Sequence, residues 1–211
     1  MSELPPILLQ DRFLVAFDKP SGLLSVPGIG PEKADCMASR AAASVEGARI
    51  VHRLDRDTSG VILMARDADT HRELSRQFHD REVGKQYQAI LAGAVLGDEG
   101  LVDAPLRKDF ERPPRHLVDR ERGREARTNW RVLERLENPL RTRVLFNPET
   151  GRSHQLRVHA LALGHAILGD DLYAAPEIVA MSDRLLLHAE SLSFTHPHSG
   201  ERIEVRTEVP F

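Results

Sequence analysis

Apolar residues in this chain come in short runs, each cut off by Gly, Pro, Asn or Asp. Runs of that length suit strands better than helices, so the sequence points first to a sheet. RFLVAFDKP (12–20) ends at Lys19-Pro20, where proline stops the strand. GVILMA (60–65) reads as a buried strand, and KQYQAILAGAV (85–95) as another. RTNWRVLERL (127–136) and LRTRVLFNP (140–148) form a predicted hairpin turning at Asn138-Pro139, and 184–210 closes the chain with two more strands around a Pro/Ser/Gly turn. Between them lie three helical stretches. KADCMASRAAASVE (33–46) is rich in helix formers. In 65–78, Thr70 and Glu73 suggest a capping box, with Leu74 and Phe78 on one face. In GRSHQLRVHALALG (151–164), Ser153 is the expected N-cap, Leu156, Ala160 and Leu163 the apolar stripe, and Gly164 the C-terminal stop. Strands outnumber helices and not every crossover is helical. The expectation is an α+β fold with a mixed, largely antiparallel sheet in a single domain over 1–211.

Length and composition exclude several classes. A chain of 211 residues, 41% hydrophobic and 29% charged, suits a globular domain and not a disordered one. The single cysteine, Cys36, permits no internal disulfide, which fits a reducing cytoplasm. The opening MSELPPILLQDRF has neither a basic start nor a signal-length apolar stretch, and no run approaches a membrane span. Net charge is −3, yet nine Lys/Arg face five Asp/Glu between Arg107 and Arg131, a local excess of four positive charges. Such a patch can neutralise phosphates whatever the global charge; the plainer reading is a solvated loop.

VHRLDRDTSG (51–60) concentrates a His, two Arg and two Asp in ten residues. Asp57-Thr58-Ser59-Gly60 has the composition of a turn, which gives Asp57 a structural reason to be there. Asp55, between Arg53 and Arg56, lacks that reason. A partly desolvated, ionised carboxylate is a competent nucleophile or base; an inert ion pair is the alternative. Arg157 falls in the first turn of its predicted helix, where the dipole disfavours a cation by roughly 0.3–1 kcal/mol, so a nearby carboxylate or phosphate is expected.

HRLDRDTSG resembles the catalytic motif of the RluA family of RNA pseudouridine synthases. KPSGLLSVPG (19–28), KQYQA (85–89), ETGRSHQLRVHALALGHAILGDDLY (149–173) and RLLLHA (184–189) match that family's other blocks in order. Within the family the likeness is greatest to the short members that modify both tRNA and large-subunit ribosomal RNA, although Arg56-Asp57 follows the broader family pattern. The resemblance implies a mixed sheet with a central RNA-binding cleft, no S4 domain, and no cofactor or metal. It implies that Asp55 is the catalytic aspartate, that Tyr87 stacks on the target base, that Arg157 pairs with the aspartate and that Arg53 fills the gap left by a flipped uridine. It further places Leu187 among the substrate-binding residues. The expected protein is a cytoplasmic monomer acting on stem-loops of large-subunit rRNA and on the tRNA anticodon loop; a relative acting on only one of these RNAs is the alternative.

Making pseudouridine breaks the N1–C1′ bond, turns the base and joins C5 to C1′. The uridine must first leave its stack at a cost of a few kcal/mol, of which an aromatic platform recovers roughly 1–3 kcal/mol. Asp55 could attack C1′ or remove a proton from C2′. Two rival classes use the same residues differently: a metal-dependent nuclease with Asp55 and Asp57 as ligands, and a non-catalytic RNA-binding domain indifferent to the charge of Asp55.

Overall fold

The structure, a computed structural model, describes residues 3–211. In chain order the strands and helices are β1 (Ile7–Gln10), β2 (Leu14–Lys19), α1 (Met37–Ser44), β3 (Arg49–Ile50), β4 (Ser59–Ala65), α2 (Ala68–His79), β5 (Gly84–Ala92), β6 (Glu99–Asp103), β7 (Leu106–Lys108), β8 (His116–Val118), β9 (Arg127–Leu136), β10 (Arg141–Pro148), α3 (Gln155–Ala162), α4 (Pro176–Val179), β11 (Leu187–Thr195) and β12 (Arg202–Arg206). Strands outnumber helices and all but one of the described pairings are antiparallel, as expected for this α+β chain.

The chain folds as two compact units. One comprises the segment ending at Lys85 together with His188–Pro210; the other is Gln86–Leu187 with Phe211. In the first, β1, β2, β4 and β11 lie side by side, with β3 paired to β4 and β12 to β11. Every residue of β4 is buried, which is why GVILMA carries no polar alternation. Leu14, Ala16, Val61, Leu63, Leu74 and Phe194 form its core. Gly60 stands at φ +111°, and a Cβ there would lie 2.2 Å from the Ala189 carbonyl. The parallel contact of β4 with β11 therefore requires glycine at this point.

In the second unit β5, β10, β9 and β6 pair in that order. Ala89, Leu91, Trp130, Val144 and Phe146 point to one face, where Leu156 and Ala160 of α3 cover them. The β9–β10 hairpin turns at Asn138, whose φ of 55° suits Asn. The basic stretch, expected only as a patch or loop, contains a separate two-stranded ribbon, β7 with β8.

Two predicted caps are corrected. The N-cap of α2 is Asp67, whose carboxylate accepts from Thr70 N (2.8 Å) and Thr70 Oγ1 (2.7 Å), while Glu73 pairs with Arg76. An Asp before the helix outcompetes Thr70 because its acceptor is anionic. The N-cap of α3 is His154, in the left-handed region at φ 55°, and not Ser153. No side chain caps this helix; Gln155 N donates to Arg152 O instead (3.1 Å). Leu74 and Phe78 do share a buried face, and Gly164 does follow the end of α3 at φ +87°.

Candidate active site

The loop between β3 and β4 carries the charged motif, and the structure sorts its charges. His52 accepts from Leu63 N through Nε2 (2.9 Å) and stacks on Phe78 with ring centroids 4.5 Å apart. Burial, helped by the nearby Lys85 charge, pushes its pKa down to about 3, so the ring is neutral and structural. Lys85 is itself pushed down to about 8, by burial and then by Arg81. Arg56 grips Asp57 with two bonds (2.8 and 3.1 Å). Asp57 is thus structural, through an ion pair with its neighbour and not through the backbone N–H bonds expected of its turn. Arg53 is exposed and makes no side-chain hydrogen bond or ion pair among the described residues. Asp55, half-buried, has no ion-pair partner within its unit. Its competitor has taken the adjacent arginine.

What holds Asp55 in place is the glycine-rich loop after β2. Lys19 is fully buried and its ammonium donates to three carbonyls, Pro20 O (2.9 Å), Leu23 O (2.8 Å) and Arg56 O (2.9 Å). Gly22 N also donates to Arg56 O (2.9 Å), and Ser21 Oγ to Asp57 O (2.7 Å). Ser25 Oγ donates to Leu54 O (2.7 Å) and accepts from Leu54 N (3.0 Å). The backbone is therefore clamped immediately before and immediately after Asp55, while its carboxylate stays outside the clamp. In the sequence, SGLLSVPGIGP (21–31) shows the Gly/Pro richness of a structured loop and nothing of this duty. The one signal is a lysine closing a largely apolar strand just before proline.

In the other unit Tyr87 sits on β5 opposite Phe146, half-buried against the core that also contains Leu187 and Leu156. Leu187 is buried at the first position of β11. Arg157, 2% exposed, is held by Asp170, with Nε donating to Oδ2 (2.9 Å) and Nη2 to Oδ1, and by Asp171 (3.2 Å). The carboxylate expected to offset the helix dipole is therefore Asp170. Two guanidiniums approach the Tyr173 ring, Arg157 at 5.2 Å and Arg115 at 5.1 Å from its centre. The Tyr173 hydroxyl accepts from His116 N (2.7 Å) and bonds Nδ1 of His154 (2.7 Å), which ties the β8 strand to the start of α3. Buried Gln155 completes that start: its carbonyl accepts from Thr150 Oγ1 and Arg152 N, and its amide donates to Arg127 O and Thr128 Oγ1. His159 is a core residue bonded to Thr128 Oγ1 and Ala104 O, its pKa lowered by burial.

Residues 13–162 match the model of the RNA pseudouridylate synthase family. The chain belongs to that family. It is 47% identical over 205 residues to the dual-specificity RNA pseudouridine synthase RluA of Yersinia pestis, covering 97% of this chain and 99% of that one. The RluA of Escherichia coli K12 is 48% identical, covering 97% and 93%. Among solved structures, human RNA Pseudouridylate Synthase Domain Containing 1 superposes with a TM-score of 0.83 at 27% identity, covering 100% of this chain and 86% of that one. Human RNA Pseudouridylate Synthase Domain Containing 4 gives 0.77 at 26%, covering 97% and 88%. The reaction is accordingly an isomerisation of uridine in RNA. Among the described residues no helix is long and apolar enough to cross a membrane.

Proposed function

We propose that Asp55 is the catalytic aspartate of a dual-specificity RNA pseudouridine synthase. The observation that carries this reading is the clamp: a carboxylate with no ion-pair partner in its unit, on a backbone pinned from both sides. Such a side chain meets the reacting sugar without reorganising, which is where preorganisation contributes most. Tyr87 stacks on the extruded base, Arg53 takes the place the uridine leaves, and Leu187 lines the base pocket. Arg157 matches the position to which the family resemblance gives the role of the aspartate's partner, and within its own unit Asp170 fixes it. All of these residues serve one catalytic domain acting as a monomer in the cytoplasm.

The substrates we assign are stem-loops of large-subunit ribosomal RNA and the tRNA anticodon loop. Support comes from the dual-specificity name carried by relatives 47–48% identical across nearly the whole chain. A unit of this size reads a compact element, and RNA loops offer bases that can be splayed and stacked. An isolated anticodon stem-loop and a short hairpin from large-subunit rRNA should both be modified, each inhibiting the other competitively. Modification of only one of them, or a need for intact ribosomal subunits, contradicts this assignment.

A further inference from the structure

The β7–β8 ribbon presents an aromatic side chain that the reaction leaves without a task. Phe110 is 77% exposed. Its surroundings are not loose. Asp109, buried, accepts from Glu111 N (3.1 Å), Arg112 N (3.2 Å) and Arg112 Nε (3.1 Å), and Asp109 N donates to Arg115 O (2.8 Å). The loop that joins the two strands is thus closed on itself, and among its exposed side chains Phe110 is the one large apolar group. At the loop end of the ribbon His116 N is fastened to the Tyr173 hydroxyl.

Phe110 stands between two acids, Asp109, which Arg112 neutralises, and exposed Glu111, but the segment around them carries an excess of cations. Lys108 Nζ lies 5.9 Å from the centre of the Phe110 ring. Arg112 and Arg115 follow in the loop, and Arg120, Arg122 and Arg124 follow β8 without an ion pair among the described residues. An interface for another protein would need companion apolar groups. Among the described residues this ribbon exposes no other large apolar side chain. A single aromatic face set among lysine and arginine is complementary to an unpaired nucleobase and its flanking phosphates. We propose that Phe110 is a stacking platform for a loop base of the substrate RNA other than the reacting uridine, an inference that rests on the stem-loop reading above.

The test is equilibrium binding of an anticodon stem-loop transcript to the full chain and to three variants. Phe110→Ala and Phe110→Leu should each weaken binding roughly 5- to 100-fold, the equivalent of the 1–3 kcal/mol of one stacked base. Phe110→Tyr should bind like the wild type. The salt dependence should not change in any variant, because no phosphate contact is lost. In turnover the loss should fall on KM and not on kcat. Wild-type affinity in Phe110→Ala, or full rescue by Leu, overturns the proposal. So does a change in sedimentation with RNA affinity intact, which would make the ring a contact between copies of this chain. The enzymatic reading fails separately: a wild-type chain that binds the RNA through Phe110 yet makes no pseudouridine refutes the function and leaves the platform standing.

Discussion

At the scale of single residues, the ten-residue charged motif divides by what each side chain touches. Asp57 and Arg56 neutralise one another, His52 is a neutral wedge on Phe78, and Asp55 has no ion-pair partner in its unit. The histidine makes a pH prediction. Its pKa is near 3 in the fold, against about 6.5 when unfolded, so between those values unfolding takes up a proton. Its contribution to stability is therefore full above about pH 6.5 and is lost as pH falls toward 3, by at most about 1.4 kcal/mol per pH unit. His52→Gln keeps an acceptor for Leu63 N and removes the titration. Urea midpoints of that variant should depend less steeply on pH between 6 and 4 than those of the wild type. Equal slopes would mean that His52 is not held neutral.

At the scale of elements, two devices position the candidate residues. Ser25 satisfies both backbone groups of Leu54, and losing it leaves the buried Leu54 N–H unpaired at a cost of about 1–3 kcal/mol. Ser25→Ala should fold, lose most of its kcat and change KM for RNA little, since the clamp holds Asp55 and not the RNA; a loss confined to KM would refute that role. The Arg157–Asp170 pair is buried on both sides, and removing one partner of such a pair costs about 3–5 kcal/mol. Asp170→Asn should therefore lower the melting temperature by several degrees, and an unchanged melting temperature would show the pair contributes nothing.

These devices also mark where sequence reading stopped. Strands such as β4, β5 and the β9–β10 hairpin announce themselves because burial forces apolar runs and turns force Asn, Pro or Gly. β1, β3 and the β7–β8 ribbon escaped because they are two to four residues long and alternate weakly or not at all. The clamp was invisible because its acceptors are backbone carbonyls, which no residue type encodes. The cap of α2 lies three positions before Thr70 because Asp67 and Asp69 also offer capping oxygens, and that of α3 lies one after Ser153 because the left-handed backbone at His154, and no side-chain oxygen, starts the helix. Asp55 stands out in the sequence by its motif and by lying outside the Asp57-Thr58-Ser59-Gly60 turn, whereas the pairing of Asp57 with Arg56 is visible only in the fold.

At the scale of the whole molecule, the candidate residues come from distant parts of the chain. Asp55 and Arg53 belong to one unit, and Tyr87, Arg157 and Leu187 to the other. The net charge of −3 conceals a basic segment whose ribbon and outgoing loop keep Arg120, Arg122 and Arg124 clear of ion pairs among the described residues. The proposed reading predicts that RNA binding by that segment and chemistry at Asp55 can be separated by substitution. The measurement that tests this most directly is release of tritium from C5 of uridine in an anticodon stem-loop, with EDTA present, for the wild type, Asp55→Asn and Asp57→Asn. The wild type should release tritium in step with pseudouridine formation and without strand scission. Asp55→Asn should bind the RNA as tightly and release none, and Asp57→Asn should retain much of the rate. Turnover by Asp55→Asn above a few per cent of wild type, or cleavage of the RNA restored by Mg²⁺ after chelation, would contradict the assignment of Asp55 as the catalytic residue.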